Sequence, residues 1–242
     1  TFSAVSYGQT KQISLDEAIQ MAVQNNKEIE AYSLRVKEME AIRPSAFSID
    51  KTHIYYGYDQ NNIAENGYPI GVVGIQQNFN FPTVYTAQNK TNIIDISKAK
   101  KELIRKQLLL TKDVSKAYYE IIYLMNRQKI YLKMDSLYRS FNPMIERKFE
   151  KGDIGKLDLL NTQAKQHQIG EILNAIRLNI ATANDALKAL VQADSVFEVP
   201  IQNLDLIQVR EPEPDSIPGM QLMDMQIEYQ NAMLKVQRNR ML

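Results

Sequence analysis

The stretch ISKAKKELIRKQLLLTKDVSKAYYEIIYLMNRQKIYLKMDSLY, residues 96–138, decides how the rest of the chain is read. Steps of three and four visit Ile96, Ala99, Leu103, Gln107, Leu110, Val114, Ala117, Ile121, Leu124, Gln128, Tyr131, Asp135 and Tyr138, and ten of these thirteen are apolar. A 3.5-residue period held for so long is the mark of a coiled-coil seam. A second stripe runs beside it through Ile104, Leu108, Tyr118, Ile122, Met125 and Leu132. Two adjacent stripes imply neighbours on two sides, as in a bundle or a helical wall. From about residue 84 to 141 such a helix would extend roughly 85 Å, longer than an ordinary domain is wide.

Toward the C-terminus, Asn142-Pro143 and then Glu150-Lys151-Gly152-Asp153 are expected to interrupt the helix. A further helix spans about Leu157 to Val191, with a stripe at Ile169, Ile172, Ile176, Ile180, Ala183, Leu187 and Leu190. Residues 84–191 therefore read as an antiparallel helical hairpin whose tip lies near Gly152. Residues 193–218, with Pro200, Pro212, Pro214 and Pro218, read as a loop, and 219–242 as a last helix. That helix faintly repeats the first one, since Ile29-Glu30 matches Ile227-Glu228 and Val36-Lys37 matches Leu234-Lys235 at one offset of 198. The repeat suggests that a second copy of the whole unit begins there.

Toward the N-terminus the period changes. His53 to Tyr58 is rich in aromatic and β-branched residues, residues 61–67 read as a turn, and Ile70 to Phe81 as a second strand. On that strand Gly71, Val73, Ile75, Gln77, Phe79 and Phe81 share one face; Ile70, Val72, Gly74, Gln76, Asn78 and Asn80 share the other. Residues 51–81 form a β-hairpin on this reading, and a lone two-stranded hairpin is marginal in water. Strands from other copies of the chain would complete it. Before it, Ser14 and Glu17 have the spacing of a capping box, and a helix with apolar positions through Met39 ends at Pro44. Residues 1–12 are either the remnant of a secretory signal or a disordered start.

The composition excludes several classes. Lys plus Arg is 29 against 28 for Asp plus Glu, which leaves no electrostatic case for nucleic acid. Without cysteine there is no disulfide, thiolate metal site or cysteine nucleophile. No run approaches the roughly 18 apolar residues of a membrane-spanning helix. No phosphate-binding loop, G-x-S-x-G, H-E-x-x-H or poised carboxylate pair is present, so no enzyme and no cofactor is expected.

Several stretches, in order across residues 13–192, resemble the TolC family of outer-membrane efflux proteins, and most closely its CusC/CzcC-like members that serve metal-exporting pumps of the resistance-nodulation-division class. Ile13 to Ile19, with Ala22 and Asn25-Asn26, resembles the family's opening helix. Gln76 to Pro82 resembles the exit from its second strand, Ala117-Tyr118-Tyr119 a recurrent site on its long helix, and Phe149 to Asn161 the tip and the helix after it. The resemblance implies a mainly α fold of long antiparallel coiled-coil helices, with one β-hairpin contributed to an intermolecular barrel. The chain looks like one repeat, 13–192, followed by an equatorial loop and the first helix of a second. A homotrimer, a periplasmic adaptor protein, an inner-membrane pump and outer-membrane lipid are the implied partners, with heavy-metal cations as a candidate cargo. Such sequences also occur fused behind the pump itself. The rival readings are a periplasmic adaptor, whose flanking β-domains have no counterpart here, and a cytoplasmic coiled-coil scaffold, which the polar-faced hairpin and secretory-looking start oppose.

Two sets of residues follow as candidate sites. Arg147, Lys151, Gly152, Asp153, Ile154 and Asp158 form the tip, where the resemblance implies contact with the adaptor; the plainer reading is a helix–helix turn with a capping Asp. Tyr55, Tyr56, Tyr58, Tyr68 and Tyr85 gather around the hairpin, either as a membrane-interface girdle or as ordinary strand aromatics. Met220, Met223 and Met225 are thioethers that would suit Cu(I), but adaptable packing is the preferred reading. His53 and His167 lack a second ligand at useful spacing, so no metal site is expected.

Overall fold

The computed structural model describes residues 11–65, 67–192, 197–203 and 217–241. Residues 1–10, Asn66 of the expected turn, and Pro212 and Pro214 of the expected loop lie outside the described residues. The elements in chain order are β1 (Lys11–Gln12), α1 (Leu15–Asn25), α2 (Lys27–Ile42), a 3-10 turn (Arg43–Phe47), β2 (His53–Ile63), β3 (Pro69–Gln76), α3 (Pro82–Glu150), α4 (Lys156–Val191), β4 (Phe197–Glu198) and α5 (Pro218–Arg240). Among the described residues no helix is long and apolar enough to cross a membrane. The mainly helical fold with one antiparallel hairpin is the fold class expected from the periodicity.

The chain divides into two units. The first joins residues 1–30 to 106–211. Its α1 starts with the expected capping box: the Glu17 amide donates to Ser14 Oγ at 3.2 Å and the Ser14 amide to Glu17 Oε2 at 2.8 Å. β1 and β4 pair in parallel, extended by the Ile13 amide donating to the Glu198 carbonyl at 3.1 Å. β4 lies in the stretch expected to be loop, and β1 in residues 1–12, expected to be a signal remnant or a disordered start; pairing with each other gives both their strand form. In the same unit Ala18 and Ala22 of α1, Val114, Tyr118, Ile121 and Ile122 of α3, and Leu187 and Val191 of α4 are buried. The Tyr118 hydroxyl donates to the Ile13 carbonyl at 3.0 Å, so an aromatic ring buried among apolar side chains still has its polar end satisfied. Burial pushes the Tyr118 phenol above its ordinary value, and Tyr119 and Glu17 add in the same direction. Asn126 Nδ2 reaches the Gln202 carbonyl at 2.7 Å, and Asn25 Nδ2 the Val191 carbonyl at 3.3 Å.

The second unit joins residues 31–105 to 212–242. Lys101 Nζ donates to Gln221 Oε1 at 2.9 Å and Asn239 Nδ2 to the Thr83 carbonyl at 2.9 Å, which sets α5 antiparallel to the opening third of α3. Arg43 Nε meets Asn89 Oδ1 at 3.3 Å and Lys100 pairs with Glu40 at 2.6 Å, which sets α2 antiparallel to the same stretch. Between them Val36, Val84, Ala87, Ile94, Ile96, Ala99 and Val236 are buried. The expected repeat at an offset of 198 is not mirrored in burial: Ile29 and Val36 are buried, whereas Ile227 and Leu234 are exposed.

The expected seam is real. None of its thirteen positions on α3 is exposed, from Ile96 to Tyr138. The second stripe is interrupted: Tyr118 and Ile122 are buried, but Ile104, Leu108 and Leu132 are exposed. On α4 the fully buried line is Ile169, Leu173, Ile176, Ala183, Leu187 and Val191, with Ile172, Ile180 and Leu190 half-buried beside it.

Five boundaries differ from expectation. β2 runs to Ile63, into the stretch 61–67 expected as a turn, because Ile63 still pairs with Pro69 beyond a register shift. The first helix is two, because the Asn26 side chain accepts the Glu28 and Ile29 amides at 2.9 and 3.1 Å and starts α2 afresh. The second strand ends at Gln76 rather than Phe81, because its partner begins at His53 opposite Gln76. Gln77 turns instead to the Asp50 carbonyl at 2.6 Å, and the Asn80 amide to the Tyr85 hydroxyl at 3.0 Å. Asn142-Pro143 does not interrupt α3, which continues to Glu150. An interior proline costs about 3 kcal/mol, and packing on α4 offsets it: Asn142 bonds Gln166 on one side of the proline, and Glu146 accepts from Gln163 at 3.5 Å on the other. Pro218 is not the end of a loop but the first residue of α5, where a missing N–H costs nothing.

Candidate functional sites at the helical tip and the hairpin

At the tip, α3 ends in a Schellman turn. The Asp153 amide donates to the Lys148 carbonyl at 2.9 Å and the Gly152 amide to the Phe149 carbonyl at 2.9 Å. The turn needs a left-handed residue, and Gly152 supplies it at φ +80°. Gly155 is the N-cap of α4, and Asp158 in the first turn accepts its amide at 3.3 Å. The capping carboxylate is thus Asp158, at the dipole's positive end, and Asp153 is left to solvent. Arg147, Lys151 and Asp153 are exposed, and among the described residues none of them is in an ion pair; Ile154 is half-buried. The tip brings all six expected residues together. It also exposes side chains that the sequence reading passed over: Met144, Leu157 and Leu160. Leu157 and Leu160 are spaced i, i+3 outside the α4 stripe, the signal that could have found them.

The hairpin is a second candidate site. β2 and β3 are antiparallel, with His53 opposite Gln76, Tyr55 opposite Gly74, Tyr56 opposite Val73, Tyr58 opposite Gly71 and Asp59 opposite Ile70. Strand alternation then sorts the side chains. One face holds Ile54, Tyr56, Tyr58, Val73 and Ile75; the other holds His53, Tyr55, Asp59, Gln76, Val72 and Ile70. All eleven residues of β2 are exposed. On the apolar face Ile54, Val73 and Ile75 are 74%, 75% and 73% exposed, so no described part of this chain covers it.

The five tyrosines do not act as one group. Tyr56 and Tyr58 share the apolar face, Tyr55 is on the opposite face, and Tyr68 is exposed in the turn. Tyr85 belongs to α3, is half-buried and stacks on Phe47 with centroids 6.5 Å apart. Glycines seat two of the rings. A Cβ on Gly74 would fall 2.2 Å from Tyr55 Cζ, and one on Gly71 would touch the Tyr56 ring at 3.9 Å. The strand glycines are therefore places where an aromatic lies flat on the ladder.

Met220 and Met223 are exposed and Met225 is half-buried on α5. Among the described residues no three of His, Asp and Glu come together as metal ligands. His53 is on β2; His167 on α4 faces Glu171 at 3.9 Å, so the expectation that His167 has no carboxylate at useful spacing is corrected: one helical turn brings the two together.

No protein-family model and no curated protein matches the sequence. Solved structures do match over nearly the whole chain. A membrane protein from Pseudomonas aeruginosa superposes with a TM-score of 0.74 at 14% identity, over 99% of this chain and 62% of its own. The Campylobacter jejuni outer membrane channel CmeC gives 0.68 at 14%, over 98% of this chain and 60% of its own. CusC gives 0.75 at 15%, over 97% and 59%. The chain thus spans about three fifths of the length of these structures. VceC and OprN also match at 15% identity, so the comparison does not single out CusC. At these identities the likeness concerns the fold, and the chain has the fold found in TolC-type outer membrane channels.

Proposed function

We propose that the chain is part of an outer-membrane channel of a tripartite efflux system and catalyses nothing. The observation that carries this reading is the hairpin: a ribbon with one apolar face, left bare by the described remainder of the chain. Such a ribbon is costly in water but is what a transmembrane barrel needs, apolar outward and more polar inward. On this reading copies of the chain assemble as a trimer. The hairpins help wall a barrel in the outer membrane of a Gram-negative bacterium, and the helices line a periplasmic tunnel. The exposed stripe Leu137, Phe141 and Met144 supports packing against a neighbouring copy.

The domain reading follows: residues 13–192 are one repeat, 193–218 an equatorial loop and 219–242 the opening of a second. The tip, with its unpaired charges and exposed Leu157 and Leu160, is the docking point for a periplasmic adaptor and an inner-membrane pump of the resistance-nodulation-division class. Heavy-metal cations as cargo rest on the sequence resemblance alone. Fractionation of cells making the full-length protein tests the central reading: recovery with the outer membrane is expected, and recovery in the soluble cytoplasm overturns it. Replacing Gly152 and Asp153 should weaken adaptor capture while the protein still reaches the membrane. Deletion of the gene should lower tolerance to metal salts if metals are the cargo.

A further inference from the structure

Next to the bare hairpin the second unit carries an excess of positive charge. Residues 79–94 contain Lys90 and no Asp or Glu, and residues 229–241 contain Lys235, Arg238 and Arg240 and no Asp or Glu. The approach to β2, residues 41–52, adds Arg43 and Lys51 against Asp50. Six cations thus face one carboxylate, a local balance of +5 in a chain whose total is +1. The tertiary structure brings Lys90, Lys235 and Arg240 to two neighbouring clefts, with Arg43 bonded to Asn89. Asn239 is bonded to the Thr83 carbonyl, which brings the end of α5 to the start of α3. An open cleft of about 350 Å³ lies there, lined by Thr83, Thr86, Lys90, Lys235 and Asn239. A neighbouring cleft places Arg240 against Phe79, Phe81 and Pro82, where the chain leaves the hairpin. Arg43 sits on Asn89, one residue from Lys90. Lys90, Lys235, Arg238 and Arg240 are exposed, and among the described residues none of them is in an ion pair.

Between this collar and the ladder stand Phe47, Ile49, Phe79 and Phe81, all more than half exposed. Along one direction the surface therefore changes from apolar ribbon, to exposed aromatic and aliphatic side chains, to unpaired cations flanked by threonine hydroxyls and an amide. Hydrocarbon, interface and anionic headgroup follow one another in the same order in a bilayer. We propose that this collar is a binding surface for anionic phospholipid, with phosphodiester headgroups held by Lys90 and Lys235 in the cleft and by Arg240 at its edge. The inference rests on the reading of the hairpin as a membrane element and adds a lipid preference to it. Headgroup binding at the collar would also set the depth at which the hairpin stops.

The test dilutes full-length protein from detergent onto vesicles of phosphatidylcholine alone, or of phosphatidylcholine with phosphatidylglycerol, and floats them at low and high salt. Association should be stronger with phosphatidylglycerol, weaken with salt, and fall on the order of fivefold for each cation removed in the Lys90→Gln, Lys235→Gln and Arg240→Gln series. Lys90→Arg and Lys235→Arg should retain the preference, and circular dichroism should show all variants equally helical. Equal association with both vesicles, or a preference that survives the glutamine series, overturns the collar and leaves the membrane hairpin standing. Association with neither vesicle overturns both.

Discussion

The hairpin of β2 and β3 and the junction around Tyr118 are both built from aromatic and β-branched side chains, yet one is bare and the other is sealed. In the hairpin every residue of β2 is exposed and the polar backbone is satisfied only along one ladder. At the junction Tyr118, Ile121, Ile122, Leu187 and Val191 are buried, and the one phenol among them donates to a named carbonyl. Similar composition thus serves two ends. The junction completes itself within one chain, whereas the hairpin depends on cover that the described chain does not supply.

The sharpest way to break this contrast is Tyr118→Ala. It empties a sealed aromatic site and strips the Ile13 carbonyl of its donor, so a loss of about 3–5 kcal/mol is expected in denaturant unfolding of the full-length protein. A loss below about 1 kcal/mol would mean that the junction does not hold the first unit together.

Next comes a pair of adjacent hairpin residues on opposite faces. Val73→Arg should cost up to about 2–4 kcal/mol in membrane assembly, read as the fraction recovered folded in the outer membrane, while Val72→Arg costs less. Neither should change helix content. Equal effects from the two would show that the faces are not distinct.

Gly152→Ala is milder. Nothing lies within 4 Å of the added Cβ, so only the left-handed backbone objects, and a cost of about 1 kcal/mol should appear in thermal unfolding.

The smallest effect is in pH. The Tyr118 phenol is raised above 10.0 in the folded chain. Its contribution to stability is therefore complete below that value and declines as pH rises through it, because the unfolded chain ionises first. Tyr118→Phe should flatten that decline in alkaline denaturation.

Much of this was legible in residues 96–138, because a seam period and a stripe of apolar side chains are properties of the helix itself. The capping box at Ser14, the turn at Gly152 and the faces of β3 are local in the same sense, and each stands where its spacing placed it. What misled was also local. Pro143 looks like an end because its ring removes one hydrogen bond, and the contacts that carry α3 past it come from Gln163 and Gln166, distant in sequence and opposite in space. The aromatic residues of the hairpin looked like a single set, and only the pairing register divided Tyr55 from Tyr56 and Tyr58. At the tip, the six expected residues were found by resemblance, and the exposure of Leu157 and Leu160 by structure.

By itself the amino-acid sequence determined the long helices and the existence of the hairpin, because hydrophobic period and capping act over a few residues; the two-residue strands β1 and β4 left no such mark. Only the tertiary structure decided where each strand stops, which tyrosines share a face and which cations meet around the start of α3. Those depend on partners brought together from distant parts of the chain, and no short-range signal encodes them.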